Sequence, residues 1–275
     1  MKIVRILNNN AVMSVNEYGK EIVVKGKGIA FKKSIGDNID LSKIDKTFIS
    51  DDTETQRRYQ ELMISIPYDC VTVCEKIIDV IKEKLNHELS DKIYVTLTDH
   101  VFNLLERMKM GITFDNALLW DVKRLYTEEY EAGSIAVDMI REAFNVKVEN
   151  DEASFIALHI VNAEINTNFE ELIHITSMID DIYEIVESTF NLDIDKEGLV
   201  YTRFIMHLRV FFERIIHNNQ VKNEKSETLL NNLKKSYPKQ YDCAMNIIKY
   251  VSMRYDEPLD GEILYLLVHI IKLTE

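Results

Sequence analysis

The 275-residue chain is poor in the residues that interrupt helices or staple small folds, with 8 glycines, 3 prolines and 3 cysteines. So few breakers point to many helices. Cys70, Cys74 and Cys243 do not make a disulfide framework, which suits a reducing cytoplasm. Cys70 and Cys74 stand one helical turn apart, but no second Cys/His pair lies at zinc spacing, so neither a metal nor another cofactor is expected. No run of 18 uncharged apolar residues occurs, which argues against membrane insertion. The first residues, Met1-Lys-Ile-Val-Arg-Ile-Leu-Asn8, lack the apolar stretch of a signal peptide.

What is present is an acidic, core-forming chain, 46% hydrophobic with a net charge of −13, long enough for two or three small domains. The charge is uneven. Residues 1–33 carry seven bases and two acids, a net +5, which leaves −18 for the remainder. A basic head on an acidic body puts any polyanion at the head.

The head reads as strands. Lys2–Leu7, Ala11–Val15 and Glu21–Lys25 are short β-branched runs, separated by Asn8-Asn9-Asn10 and by a turn through Gly19. Ile29–Lys33 and Lys46–Ile49 extend the meander, with a turn at Gly36-Asp37-Asn38. A sheet of about 50 residues is marginal alone, so its apolar face is expected to be closed by a second copy, making a homodimer. From Asp52 the texture becomes helical. Asp52 or Thr53 caps a helix that Pro67 ends. Helical patterns then fill about 68–86, 91–110, 116–125, 128–145 and 151–167, and again about 171–189, 198–218, 226–235, 238–254 and 259–273. Asn150 and Asp260 stand at equivalent N-cap positions. The expected fold is multidomain: a small all-β antiparallel domain over 1–56, then two homologous all-α five-helix bundles over 57–169 and 170–275.

The homology of the bundles rests on three echoes. His100–Arg107 and His207–Arg214 are both His-x5-Glu-Arg, offset by 107 positions. Glu152, Phe155, His159 and Ile160 match Glu262, Tyr265, His269 and Ile270 at offset 110. Tyr126 and Tyr130 match Tyr237 and Tyr241 at offset 111. The same order at nearly constant offset marks a duplicated module.

Four histidines recur while the apolar residues around them drift, so an inert core-edge role explains them less well than it explains the unrepeated His87, His174 and His217. A metal-dependent enzyme lacks His-x3-His or a carboxylate set, and Asp99-His100 reverses the His-Asp order of helical phosphohydrolases. A nucleophile elbow is missing too. A helical phosphohydrolase with an appended β domain is therefore the weaker alternative. The stronger one is a histidine that accepts a phosphoryl group, since neutral imidazole is nucleophilic near pH 7 and gains about two negative charges. Arg107, Arg209 and Arg214 share the histidine helices and are placed to answer that charge. In the head, Asn8–Asn10, Gly26-Lys27-Gly28 and Phe31 fit base-edge contact, close backbone approach and stacking on an unpaired base; an ordinary sheet with lysines on its wet face fits the composition as well.

Ile6–Val12, Val23–Lys33 and Ile44–Phe48 resemble a co-antiterminator RNA-binding domain. Thr98-Asp99-His100, Asp151–Ile160, Met206–Arg209 and Glu262–Ile270 resemble the phosphorylatable motifs of two PTS regulation domains. The whole chain, in order, resembles the BglG/SacY-type transcriptional antiterminators. That resemblance implies a cytoplasmic homodimer, not an enzyme. It implies binding of an mRNA leader hairpin through Asn10, Gly26, Lys27 and Phe31, so that a terminator upstream of sugar-utilisation genes does not form. It also implies phosphorylation at His100, His159, His207 and His269 by the carrier HPr and a sugar-specific PTS permease. Two departures stand out: Lys27 replaces the arginine of many members, losing the bidentate fork, and Met206 precedes His207 where Asp99 precedes His100.

Overall fold

The computed structural model describes residues 1–86, 88–112, 119–167, 169–192, 198–217, 227–255 and 258–275, without the side chains of 119–121. The chain forms two compact units, residues 1–116 with 128–166, and residues 117–127 with 167–275.

The first unit opens with an antiparallel meander of β1 (Arg5–Asn8), β2 (Ala11–Val15), β3 (Glu21–Lys25) and β4 (Lys46–Phe48), in that spatial order. The register pairs Ala11 with Lys25 and Met13 with Val23, and on the opposite face Val12 with Val24. Ile29–Lys33 is not a strand. Gly28 and Lys32 adopt left-handed φ of 66° and 58°, and bonds from Phe31 N to Gly28 O and Lys33 N to Ala30 O fold the segment into successive turns. These turns bury Ile29 and Ala30 with Ile3, Val12, Ile22, Val24 and Ile39, closing one face of the sheet.

The other face is closed within the chain rather than by a second copy. Ala11, Val23 and Phe48 join the core of the helices that follow. Phe48 stacks on Tyr59 of α1 (Thr53–Ser65) at 3.9 Å and meets Tyr94 of α3 (Lys92–Lys109) edge-on at 5.6 Å. Asp52 caps α1 by accepting from Glu54 N, as the sequence leads one to expect. The helical part of this unit continues with α2 (Tyr68–Leu85), α5 (Thr127–Phe144) and α6 (Glu152–Ile165), wrapped on one apolar core.

The second unit holds α7 (Phe169–Phe190), α8 (Leu199–Ile216), α9 (Glu227–Ser236), α10 (Pro238–Ser252) and α11 (Ile263–Thr274). It also holds α4 (Leu119–Leu125), which the repeat assigns to the first bundle. Arg124 pairs with Asp180 on α7 at 2.9 Å and lies over the Tyr201 ring of α8. The expected caps at Asn150 and Asp260 are not made, because both histidine helices are entered through a turn of i+3 bonds, and Asn150 Oδ1 accepts from Arg141 instead. With glycine scarce, asparagines take the left-handed positions that close helices: Asn86 and Asn166 follow α2 and α6 with φ of 53° and 55°.

Candidate functional site

Each unit brings its two repeated histidines together, because each histidine sits on the inward edge of one of two neighbouring helices. In the first unit α3 supplies His100 and Arg107, and α6 supplies Glu152, Phe155 and His159. The imidazoles of His100 and His159 lie 4.8 Å apart. Glu152 stands between them and the arginine: Oε2 accepts from His100 Nε2 at 3.0 Å, and Oε1 accepts from Arg107 at 3.3 Å. All three side chains are largely buried. Burial, reinforced by His100, holds His159 well below the usual histidine range, so it is neutral at pH 7.

In the second unit α8 supplies His207 and Arg214, and α11 with the turn before it supplies Glu262, Tyr265 and His269. The His207 and His269 rings are stacked, with centroids 3.4 Å apart and planes at 20°. Glu262 is fully buried and takes Arg214 with both oxygens. The Tyr265 hydroxyl, absent from Phe155 in the first unit, meets His207 Nδ1 at 3.0 Å. Desolvation, Lys272 and Arg214 depress His207, and burial, His207 and Lys272 push His269 down to about 4. Both rings are therefore uncharged nucleophiles near neutral pH.

Arg107 and Arg214 stand beside the histidines as expected, but Arg209 does not. Its guanidinium donates to the Leu125 carbonyl at 3.2 Å and lies over the Tyr126 ring, holding α4 to the second unit. His174 faces Glu170 on its own helix, His217 closes α8, and His87 lies outside the described residues. Glu152 and Glu262 belong to the repeat, but nothing in a repeat says which partner a carboxylate takes. Cys70 and Cys74 are buried in the core of the first unit.

The head residues converge on one ridge. Asn10 Oδ1 accepts from Gly28 N at 2.8 Å, and Asn10 O accepts from Gly26 N at 2.9 Å, so the asparagine braces the Gly-Lys-Gly turn. Gly26 is required for packing: a Cβ there would stand 1.7 Å from the Lys43 carbonyl oxygen. Lys27 is exposed, and Phe31 is 59% exposed with the Lys32 ammonium 5.4 Å from its ring centroid. An exposed aromatic beside exposed lysines is the pattern of a stacking platform with phosphate contacts. Lys25 is not on this wet surface; it is buried against Glu75 of α2.

A model of the CAT RNA binding domain matches residues 1–57, and a model of the PRD domain matches residues 75–163 and again 180–273. The chain belongs to the CAT–PRD family of transcription antiterminators. It is 40% identical over 271 residues to transcription antiterminator LicT of Bacillus subtilis (strain 168), covering 98% of each chain. It is 38% identical to the beta-glucoside operon antiterminator of Dickeya chrysanthemi, covering 98% of this chain and 95% of that one. A crystal structure of GlcT CAT-PRDI aligns with a TM-score of 0.53 and 33% identity, over 61% of this chain and 98% of that chain. In CAT–PRD terms the ridge lies in the RNA-binding part, and each histidine pair lies in one PRD match. Among the described residues, no helix is long and apolar enough to cross a membrane.

Proposed function

We propose that this CAT–PRD protein is a cytoplasmic regulator without catalysis of its own, which holds a leader hairpin of nascent mRNA and so keeps an overlapping terminator from forming ahead of sugar-utilisation genes. The RNA would meet Asn10, Gly26, Lys27 and Phe31, in a homodimer whose domains run over 1–56, 57–169 and 170–275. HPr and a sugar-specific permease would phosphorylate His100, His159, His207 and His269. One observation carries the regulatory part. Two modules with drifting sequences each keep a histidine pair beside an Arg–Glu ion pair, which is what a site needs if it gains about two negative charges and must answer them.

The test is transcription in vitro from a template carrying the chain's own operon leader. Read-through should rise with added protein, and its level should change when phosphoenolpyruvate and the carrier proteins are present. Read-through that ignores the protein would overturn the proposal.

A further inference from the structure

The hydrogen bonds around the two first histidines fix opposite tautomers. The Tyr265 hydroxyl has one proton. With that proton given to the His207 carbonyl oxygen at 3.2 Å, which can only accept, the hydroxyl oxygen accepts from His207 Nδ1 at 3.0 Å. Nδ1 therefore carries the hydrogen, and the lone pair of the neutral ring sits on Nε2. In the first unit the partner of His100 is a carboxylate, which only accepts. Glu152 Oε2 lies 3.0 Å from His100 Nε2, so there Nε2 carries the hydrogen, and in the neutral form of the ring the lone pair sits on Nδ1. Phe155 stands where Tyr265 does and has no hydroxyl to impose the other choice.

We propose, resting on the phosphoacceptor role assigned above, that the two modules take phosphate on different ring nitrogens: Nε2 of His207, positioned by Tyr265, and Nδ1 of His100, positioned by Glu152. At His207 the Nε2 lone pair attacks phosphorus of a phosphohistidine donor. The new N–P bond forms as the donor's N–P bond breaks. The donor ring, already protonated on its other nitrogen, leaves as neutral imidazole, and His207 keeps its Nδ1 proton on Tyr265. No proton has to move. At His100 the same displacement runs from Nδ1, with the Nε2 proton held on Glu152. The choice also sets which side of each ring the phosphoryl group leaves from, so one donor surface does not serve both modules alike.

The test uses the full chain with ring-15N histidine, because long-range 1H–15N spectra distinguish the tautomers without any phosphate. At pH 7.5 His207 should show a protonated Nδ1 and His100 a protonated Nε2. Tyr265→Phe should mix the His207 tautomers and leave His100 unchanged. Potassium phosphoramidate then serves as a donor that needs no partner protein, with early products mapped by mass spectrometry and isomer-specific antibodies. The expected products are the Nε2 isomer at His207 and the Nδ1 isomer at His100, with the His207 preference falling several-fold in Tyr265→Phe. The same tautomer or the same isomer at both sites would overturn the proposal, as would an unchanged isomer ratio at His207 in Tyr265→Phe. Labelling by phosphoramidate with this pattern but not by the carrier proteins would support the tautomer assignment while rejecting the carrier as donor.

Discussion

Lys25 and Glu75 form an ion pair almost wholly out of water, with Nζ 2.5 Å from Oε2 and side-chain exposures of 2% and 7%. Thr72 accepts from the same ammonium at 2.9 Å, and Tyr59 donates to the other Glu75 oxygen at 2.7 Å. The pair joins β3, one residue before the Gly-Lys-Gly turn, to α2. Removing one partner strands a buried charge, so Glu75→Ala should cost about 3 kcal/mol, whereas the apolar pair Lys25→Met with Glu75→Leu should come close to the parent. Urea unfolding of the two variants measures both. A Glu75→Ala protein as stable as the parent would show that the pair does not hold the sheet to the helix.

Gly26 and Phe31 sit on the same ridge but should fail differently. Gly26→Ala drives a Cβ into the Lys43 carbonyl, so it should destabilise the sheet by about 1–3 kcal/mol and lose RNA as a consequence. A thermal melt without RNA detects the loss. A melt like the parent's would mean the backbone there yields.

Phe31 and Lys27 are both exposed, so their replacements should leave stability unchanged. Phe31→Ala should weaken RNA binding by about 1–3 kcal/mol through lost stacking. Lys27→Ala should flatten the log–log salt dependence by about 0.7–0.9, the weight of one phosphate contact. Titrations at several salt concentrations separate the two, and a Lys27→Ala slope equal to the parent's would remove that lysine from the phosphate backbone.

Much of this was legible in the sequence. The cap at Asp52, the helical runs and the recurrence of the four histidines follow from periodicity and from the repeat, which are local or self-comparing signals; that the two histidines of each module meet does not. Other features are not local. Ile29-Ala30-Phe31 has the composition of a strand, but left-handed Gly28 and Lys32 turn it twice. Alternation places Lys25 beside Val23 on the helix-facing side, yet its partner Glu75 lies 50 positions away on another element. The seven residues of α4 carry too little pattern to say which unit receives them. Phe155 and Tyr265 match as aromatics, and only the three-dimensional site gives the extra hydroxyl a partner.

Acid should weaken the second module through His269. Its folded pKa of about 4 lies below the ordinary 6.5, so between those values the unfolded chain binds the extra proton and folding stability rises with pH. As pH falls from 6.5 toward 4 this contribution is lost. His269→Gln should reduce that dependence, read as the difference between parent and variant unfolding curves at pH 7.5 and pH 5. Equal differences at both values would mean His269 titrates normally.

The most direct measurement is a reporter placed behind the chain's own leader and terminator, in cells with and without the phosphocarrier. The second pair answers charge with Arg214 and Lys272, while the first already holds Glu152 against His100. On the resemblance to the antiterminators, acidic replacements at His207 and His269 should turn the reporter on without the carrier, and alanine at His100 or His159 should relieve repression without sugar. A reporter that stays silent with the acidic second pair, yet switches on when His100 and His159 are made acidic, would contradict the account.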